Sequence, residues 1–372
     1  MVVVALCAAG VAPARADGDA QAGDIPVGEY GSMTGAQATF GVSTDDGVQL
    51  AVKEINAAGG INGHKIHLIN YDDKGQQLET QTAVTRLIEQ DHVVAIIGEV
   101  ASSLSMAGGL VAQRAGVPMI SPSSTNPKVT AIGDMISRVC FIDPFQGFVD
   151  AQFPKEKLGL TKAAVLYNRA QAYSSGLRGD FERAFKKLGG TVVTEQAYAD
   201  GDNDFSAQLT AIREASPDFV YIPGYYTEIV PIAVQARKLG LACPLIGGDG
   251  WISEELKNAG SALDGCYFSD HFSSEENRPQ VQAFLAKFKA AYGGAPDSMA
   301  ALGYDAANLL FDAMKRAKSL SGRDLADAIN STRDFAAVTG TITIDKNRNA
   351  KKRIIIQALK DGVPHFYSSI EP

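Results

Sequence analysis

The chain has few of the residues that carry most protein chemistry. Five histidines and four cysteines occur in 372 residues, and none falls in a CxxC or HExxH spacing. Only His64 and His67 lie close together, in surroundings that read as a turn and an edge strand, so no metal centre is expected. Positive charge is also short. Lys and Arg number 34 against 42 Asp and Glu, a formal net charge of −8. That argues against a nucleic-acid partner, which would need a basic face. No internal apolar run of about 18 residues exists, so no helix is expected to span a membrane. The GxSxG elbow, the P-loop and the GxGxxG dinucleotide turn are all missing. His271 lies near a predicted domain crossover, which leaves the hydroxyl-rich stretches without a histidine base. Neither an enzyme nor a cofactor is therefore expected. A ligand-sensing regulator would normally carry a DNA-binding or signalling module, and none is attached.

What is present describes an ordinary soluble protein: 45% hydrophobic and 20% charged residues. The length is too great for one ordinary core and implies two domains. The start, "MVVVALCAAGVA", is apolar, and "ARA" at Ala14 to Ala16 has the form of a signal-peptidase site before Asp17. Residues 1–16 are expected to be a signal peptide, although its usual basic n-region is missing and the true start could lie elsewhere. Lipidation at Cys7 is disfavoured by the large Leu6 before it. Export leaves Cys140, Cys243 and Cys266 in an oxidising compartment. Cys243 and Cys266 each sit beside a predicted strand, so a disulfide between them is one expectation; the other is three small buried hydrophobes.

The chain repeats one pattern. β-rich runs such as "IPVGEYGSM", "KIHLINYDD" and "VVAIIGEV" alternate with helical-period segments such as "GVQLAVKEINAAGG". The pattern restarts with "KAAVLYN", "DFVYIPGY" and "PLIGGDG". Such alternation predicts two open parallel-sheet α/β domains. Two long helical segments follow Phe272, then the strand-like runs "VTGTITID" and "RIIIQAL". Their position implies that the chain returns to the first domain and crosses between domains several times. In open α/β sheets a ligand sits at the carboxyl ends of the strands. There the sequence places Ser102, Ser123 and Thr125 in one domain and Tyr225 and Asp249 in the other. The stretch "VPMISPSSTNPKV" admits two readings: hydroxyls capping the next helix, or neutral donors holding an anion. A hydroxyl cluster facing a carboxylate and an aromatic forms a coherent site for a zwitterion.

From about Ile25 onward the chain resembles the periplasmic leucine/isoleucine/valine-binding protein family, the type I solute-binding subunits of amino-acid ABC transporters. The stretches that carry the resemblance are "GSMTGAQATFG", "GVQLAVKEINAAGGINGHKI", "INYDD", "AIIGEVASS", "ISPSST", "DFVYIPGY" and "IGGDG", in family order. The resemblance implies two Rossmann-like lobes joined by a multi-strand hinge: 24–142 plus 273–350, and 143–272 plus 351–372. It implies an exported, periplasmic and monomeric protein that hands a free amino acid to a membrane permease. Ser102, Ser123 and Thr125 match positions that take the ligand's α-carboxylate, at a dry helix N-terminus. Tyr225 and Asp249 match positions that take its α-ammonium. Phe40, Val100, Tyr173 and Tyr304 match positions that line or close the side-chain pocket, and Trp251 either walls it or packs beneath the loop. Ser124 is read as a cap. Valine at position 100 leaves room for leucine, isoleucine or valine. Binding of amides, urea or aromatic acids is the alternative.

Overall fold

The computed structural model describes residues 23–372. The signal segment and Cys7 lie outside the described residues. The first lobe holds strands β1 (Ile25–Gly31), β2 (Ile66–Asp72), β3 (Ala95–Ile97), β4 (Met119–Ser121) and β5 (Ile136–Arg138). They form one parallel sheet in the order β2-β1-β3-β4-β5. Helices α1 (Ala38–Ala57), α2 (Gln77–Glu89) and α3 (Ser102–Ala115) connect them. The "AII" of β3 is buried at all three positions, as expected for a strand covered on both faces.

The second lobe begins at α4 (Asp143–Lys157), whose early Pro144 suits a helix start. It continues through β6 (Lys162–Asn168), α5 (Ala172–Lys187), β7 (Thr191–Tyr198), α6 (Ser206–Glu214), β8 (Phe219–Ile222), α7 (Tyr226–Lys238), β9 (Leu245–Gly247) and β10 (Tyr267–Asp270). The chain then returns to the first lobe as α8 (Pro279–Tyr292), α9 (Ser298–Arg316) and α10 (Gly322–Asn330). Short strands follow: β11 (Phe335–Ala337), β12 (Gly340–Ile344) and β13 (Ala350–Lys351), a small antiparallel sheet. It crosses back as the hairpin β14 (Ile354–Lys360) and β15 (Val363–Ile370). That hairpin adds antiparallel strands to the second sheet, whose order is β15-β14-β10-β9-β8-β6-β7.

Close helix packing fixes the return segment to the first lobe. A Cβ on Gly47 of α1 would lie 2.0 Å from the Ala300 carbonyl oxygen of α9. A Cβ on Gly303 of α9 would lie 2.3 Å from that of Thr44. Only glycine admits backbones this near. Among the described residues three segments cross between the lobes: 139–142, 271–278 and 352–353. Among the described residues no helix is long and apolar enough to cross a membrane.

The expected Cys243–Cys266 disulfide is not formed; all three cysteines among the described residues are free. Strand register explains this. Tyr267 pairs with Ile246, which sets Cys266 level with Leu245, two residues past Cys243. One strand spacing and two residues of rise separate their Cα atoms by about 8 Å, beyond the roughly 7 Å that a disulfide spans. The Cys266 sulfur instead accepts from Arg237 Nη2 (3.3 Å) and the Leu245 N–H (3.4 Å).

Candidate ligand site between the lobes

The lobes touch across the cleft. The Tyr226 hydroxyl donates to the Ala36 carbonyl (2.8 Å), Asn126 Nδ2 donates to the Ala172 carbonyl (2.8 Å), and the Thr39 and Ser253 hydroxyls lie 3.2 Å apart. Between the lobes lies a cavity of about 10 Å³, about the room of one water. Phe40, Val100, Ser102, Ser123, Thr125, Tyr173, Tyr225 and Asp249 line it, together with Gly250 and Met299, which sequence reasoning did not select.

The first-lobe wall is built from the ends of β3 and β4. Ser102 opens α3, whose first-turn N–H groups have no helical partner. The "SPSST" loop divides its hydroxyls between two tasks. Ser121 Oγ donates to the Glu99 carbonyl (2.8 Å), and Ser124 Oγ donates to the Val100 carbonyl (2.8 Å). These two bind the loop to its neighbour. Buried Arg138 donates to the carbonyls of Ser124 and Asn126 from below. Ser123 and Thr125, on alternate positions, line the cavity instead. Ser123 Oγ is buried and has no hydrogen-bond partner. No α-helix follows this loop before α4, only a short 3-10 turn over Thr130–Ile132. The hydroxyls therefore cap nothing there, Ser124 included, and the helix N-terminus at the site is that of α3.

The second-lobe wall centres on Asp249, which follows β9 and is 3% exposed. Its Oδ1 accepts from Gln146 Nε2 (2.8 Å) and from the Tyr173 hydroxyl (2.9 Å). Its Oδ2 lies 3.0 Å from His271 Nε2. A Cβ on Gly248 would lie 2.5 Å from the Tyr173 hydroxyl, so glycine lets Tyr173 reach the carboxylate. Tyr173 and Tyr225 stack, with ring centroids 5.2 Å apart, and Phe40 meets Tyr225 edge-on at 5.6 Å. Burial, then the Asp249 charge, pushes the Tyr173 phenol well above its usual pKa, so it stays a donor. Burial pulls His271 down to about 4 despite its bond to Asp249, so it is a neutral donor at pH 7. The donors to Asp249 named here are thus all uncharged. Gln146 and His271 were missed: one reads as an ordinary polar helix residue, and the other was set aside as part of a crossover.

Two expected pocket residues lie elsewhere. Trp251 is fully buried beneath the loop, donating from Nε1 to the Ile222 carbonyl (2.9 Å) and packed near Phe268. It follows Asp249 within one 3-10 turn, where two residues rotate a side chain by about 240°. Tyr304 bonds Glu54 (2.8 Å) and Lys287 (3.2 Å) on the α1–α8 side. Met299, five residues earlier on α9, occupies the cavity wall; five residues turn a helix by about 140° beyond a full revolution. A larger groove of about 570 Å³ runs between α1 and the β10 crossing. Its acids Asp297 and Asp270 are already engaged: Asp297 by Ser43 and the Ala300 N–H, Asp270 by the His271 N–H and Gln357.

The sequence profile described as periplasmic binding protein matches residues 24–362. The chain belongs to this family. The Leu/Ile/Val-binding protein of Escherichia coli K12 is 32% identical over 273 residues, covering 72% of this chain and 74% of that one. A leucine binding protein structure from Thermotoga maritima has a TM-score of 0.90 at 37% identity, covering 94% of this chain and 99% of that one. The Streptococcus pneumoniae branched-chain amino acid transporter substrate binding protein, solved with isoleucine, has a TM-score of 0.89 at 33% identity. That match covers 94% of this chain and all of the other. This periplasmic binding protein thus shares its two-lobe α/β architecture with binding subunits of transporters.

Proposed function

We propose that this protein is the extracytoplasmic solute-binding subunit of an ABC importer, taking free leucine, isoleucine or valine between its lobes. The closed form is what the membrane permease would read. One observation carries this reading. A buried hydroxyl without a partner, Ser123 Oγ, and the start of α3 face a buried carboxylate whose donors, Gln146, Tyr173 and His271, are neutral. A zwitterion completes both walls. Its carboxylate takes hydrogen bonds from Ser102, Ser123, Thr125 and first-turn N–H groups of α3. Its ammonium takes the remaining acceptor capacity of Asp249 beside Tyr225.

The apolar lining by Phe40, Val100 and Met299 suits an aliphatic side chain. Amides, urea and aromatic acids carry no ammonium and would leave Asp249 without a counter-charge. The family match and the cleavable-looking start together support a periplasmic location, with cleavage after Ala16. Mass spectrometry of ligand retained by the purified protein, followed by calorimetry, tests the reading. Retention of leucine, isoleucine or valine is expected. A retained ligand without an amino group, or no binding of any aliphatic amino acid, overturns it.

A further inference from the structure

We infer that His271 is the positioning residue of the ammonium anchor: held at the lobe crossings, it fixes the free lone pair of Asp249 without bringing a competing positive charge. The inference rests on the amino-acid reading above. Its first support is the count of acceptor sites. A carboxylate offers about four lone-pair positions. Gln146 and Tyr173 occupy two on Oδ1, and His271 occupies one on Oδ2. The position left open is therefore the second on Oδ2, and the imidazole determines which way it points.

The second support is how the ring is held. His271 lies on the second crossing, immediately after β10. Its backbone N–H bonds Asp270 Oδ1 (2.7 Å). Its ring stacks on Phe141 of the first crossing, with centroids 3.7 Å apart and planes 20° apart. Both residues are buried. The imidazole is thus clamped between two of the three crossings and delivers Nε2 to the anchor.

The third support is the other nitrogen. His271 Nδ1 is buried with no hydrogen-bond partner. Asp249 is an acceptor, so Nε2 carries the proton in the neutral ring. Protonating Nδ1 would create a buried N–H with nothing to receive it. Lys352, on the third crossing, adds a like charge against the imidazolium, while Asp249 opposes that effect. Asp270 lies on the same strand and is occupied by the backbone N–H. Cys140 precedes Phe141 in the first crossing, Asp143 opens α4 two residues after it, and Tyr173 faces the ring across Asp249 as a neutral phenol. A cationic side chain here would satisfy Asp249 and compete with the ligand; a neutral N–H orients it and leaves the charge for the ammonium.

The test compares leucine with 4-methylpentanoate, which is leucine without its amino group. Calorimetry is run on the full protein and on two variants. His271→Met keeps an apolar side chain and removes the donor; His271→Gln keeps an N–H. The Met variant is expected to weaken leucine binding about tenfold, to leave 4-methylpentanoate binding unchanged, and to be largely rescued by the Gln variant. Unchanged leucine affinity in the Met variant, or an equal loss for both ligands, overturns the inference. Should the Met variant fail to fold, the Gln variant decides: leucine affinity within about threefold of wild type supports the inference, and a tenfold loss shared by both ligands sinks it. A wild-type protein that prefers 4-methylpentanoate, or ignores leucine, refutes the amino-acid reading itself, a result distinguishable from either variant outcome.

Discussion

Replacing Asp249 with asparagine separates the charge of the anchor from its shape. The asparagine Oδ1 can still accept from Gln146 and Tyr173, so that half of the network survives. The new Nδ2 faces His271 Nε2, which can accept only by moving its proton to the buried, unpartnered Nδ1, at a cost of about 1–3 kcal/mol. The surviving half of the network should still keep the fold. Losing one partner of a buried charge pair costs about 2–5 kcal/mol, or about thirty- to several-thousandfold in Kd. The upper half of the range is favoured because Asp249 is 3% exposed and solvent screens it little. The unliganded protein should change little in stability, since removing a buried charge offsets that cost. Asp249→Ala differs: it strands three donors and opens a cavity, so both affinity and melting temperature should fall.

Two assays read the asparagine variant. Calorimetry with leucine gives Kd directly. Thermal unfolding gives an independent check through ligand linkage. Ligand at a hundred times Kd stabilises a protein by about 2.7 kcal/mol. If Kd rises a hundredfold at the same ligand concentration, only about 0.4 kcal/mol remains. The leucine-induced shift in melting temperature should then nearly vanish while the unliganded transition stays put. A Kd within about threefold of wild type would refute the role of Asp249 as ammonium anchor.

Other expectations follow from the same geometry. Val100→Phe should weaken leucine binding at least about tenfold while sparing alanine, because an aromatic ring would fill the small lining cavity; equal losses for both ligands in calorimetry would contradict this. Ser123→Ala should lower leucine affinity about tenfold or more, as for a hydrogen bond to a charged group. Ser124→Ala, which cuts the bonds to Val100 and Ser105, should chiefly lower melting temperature; a reversed pattern would show that the loop hydroxyls are misassigned. Burial pushes Asp150, bonded by the Tyr221 hydroxyl at 2.7 Å, up to about 8. A raised carboxyl pKa contributes stability below the unfolded value near 4 and loses it as pH rises through 8. Asp150→Asn should thus gain stability relative to wild type between pH 5 and 8 in urea titrations, and a pH-independent difference would exclude the assignment.

The alternation of apolar strands and amphipathic helices made the two open sheets legible, because buried parallel strands such as "FVYI" need apolar residues on both faces. Strand ends were legible for the same reason: Ser102, Ser123, Thr125, Tyr225 and Asp249 come shortly after such runs. Side-chain direction was not. Trp251 and Tyr304 were placed by proximity in sequence or by resemblance, whereas helical rotation turns each away from the cavity. Strand β14 was legible as "RIIIQAL", but β15 escaped because "VPHFYSSI" alternates exposed and half-buried residues at a sheet edge, a pattern without the apolar density of the inner strands. Gln146 and His271 escaped for a different reason. They meet Asp249 across 103 and 22 residues of chain, and their spacing carries no trace of that meeting.

The division of charge between the walls bears on why closure should depend on ligand. The first lobe offers hydroxyls and helix N–H groups; the second offers a carboxylate. Closing them on each other alone leaves Ser123 without a partner and Asp249 without a cation. The direct contacts across the cleft are a few neutral hydrogen bonds and the aromatic edges of Phe40 on Tyr225 and Tyr226. Neutral bonds of this kind contribute about 1 kcal/mol each, so they oppose separation without dominating it. Driving a clamp from about 1% to 99% closed requires about 5.5 kcal/mol of preference for the closed state. A ligand held by the first lobe keeps its carboxylate bonds whether the lobes are open or closed, so closure adds the ammonium end, about 2–5 kcal/mol. That is most of the requirement, and the neutral bonds across the cleft add to it. An acid without an amino group, or an amine without a carboxylate, would therefore bind one wall and leave the lobes largely apart.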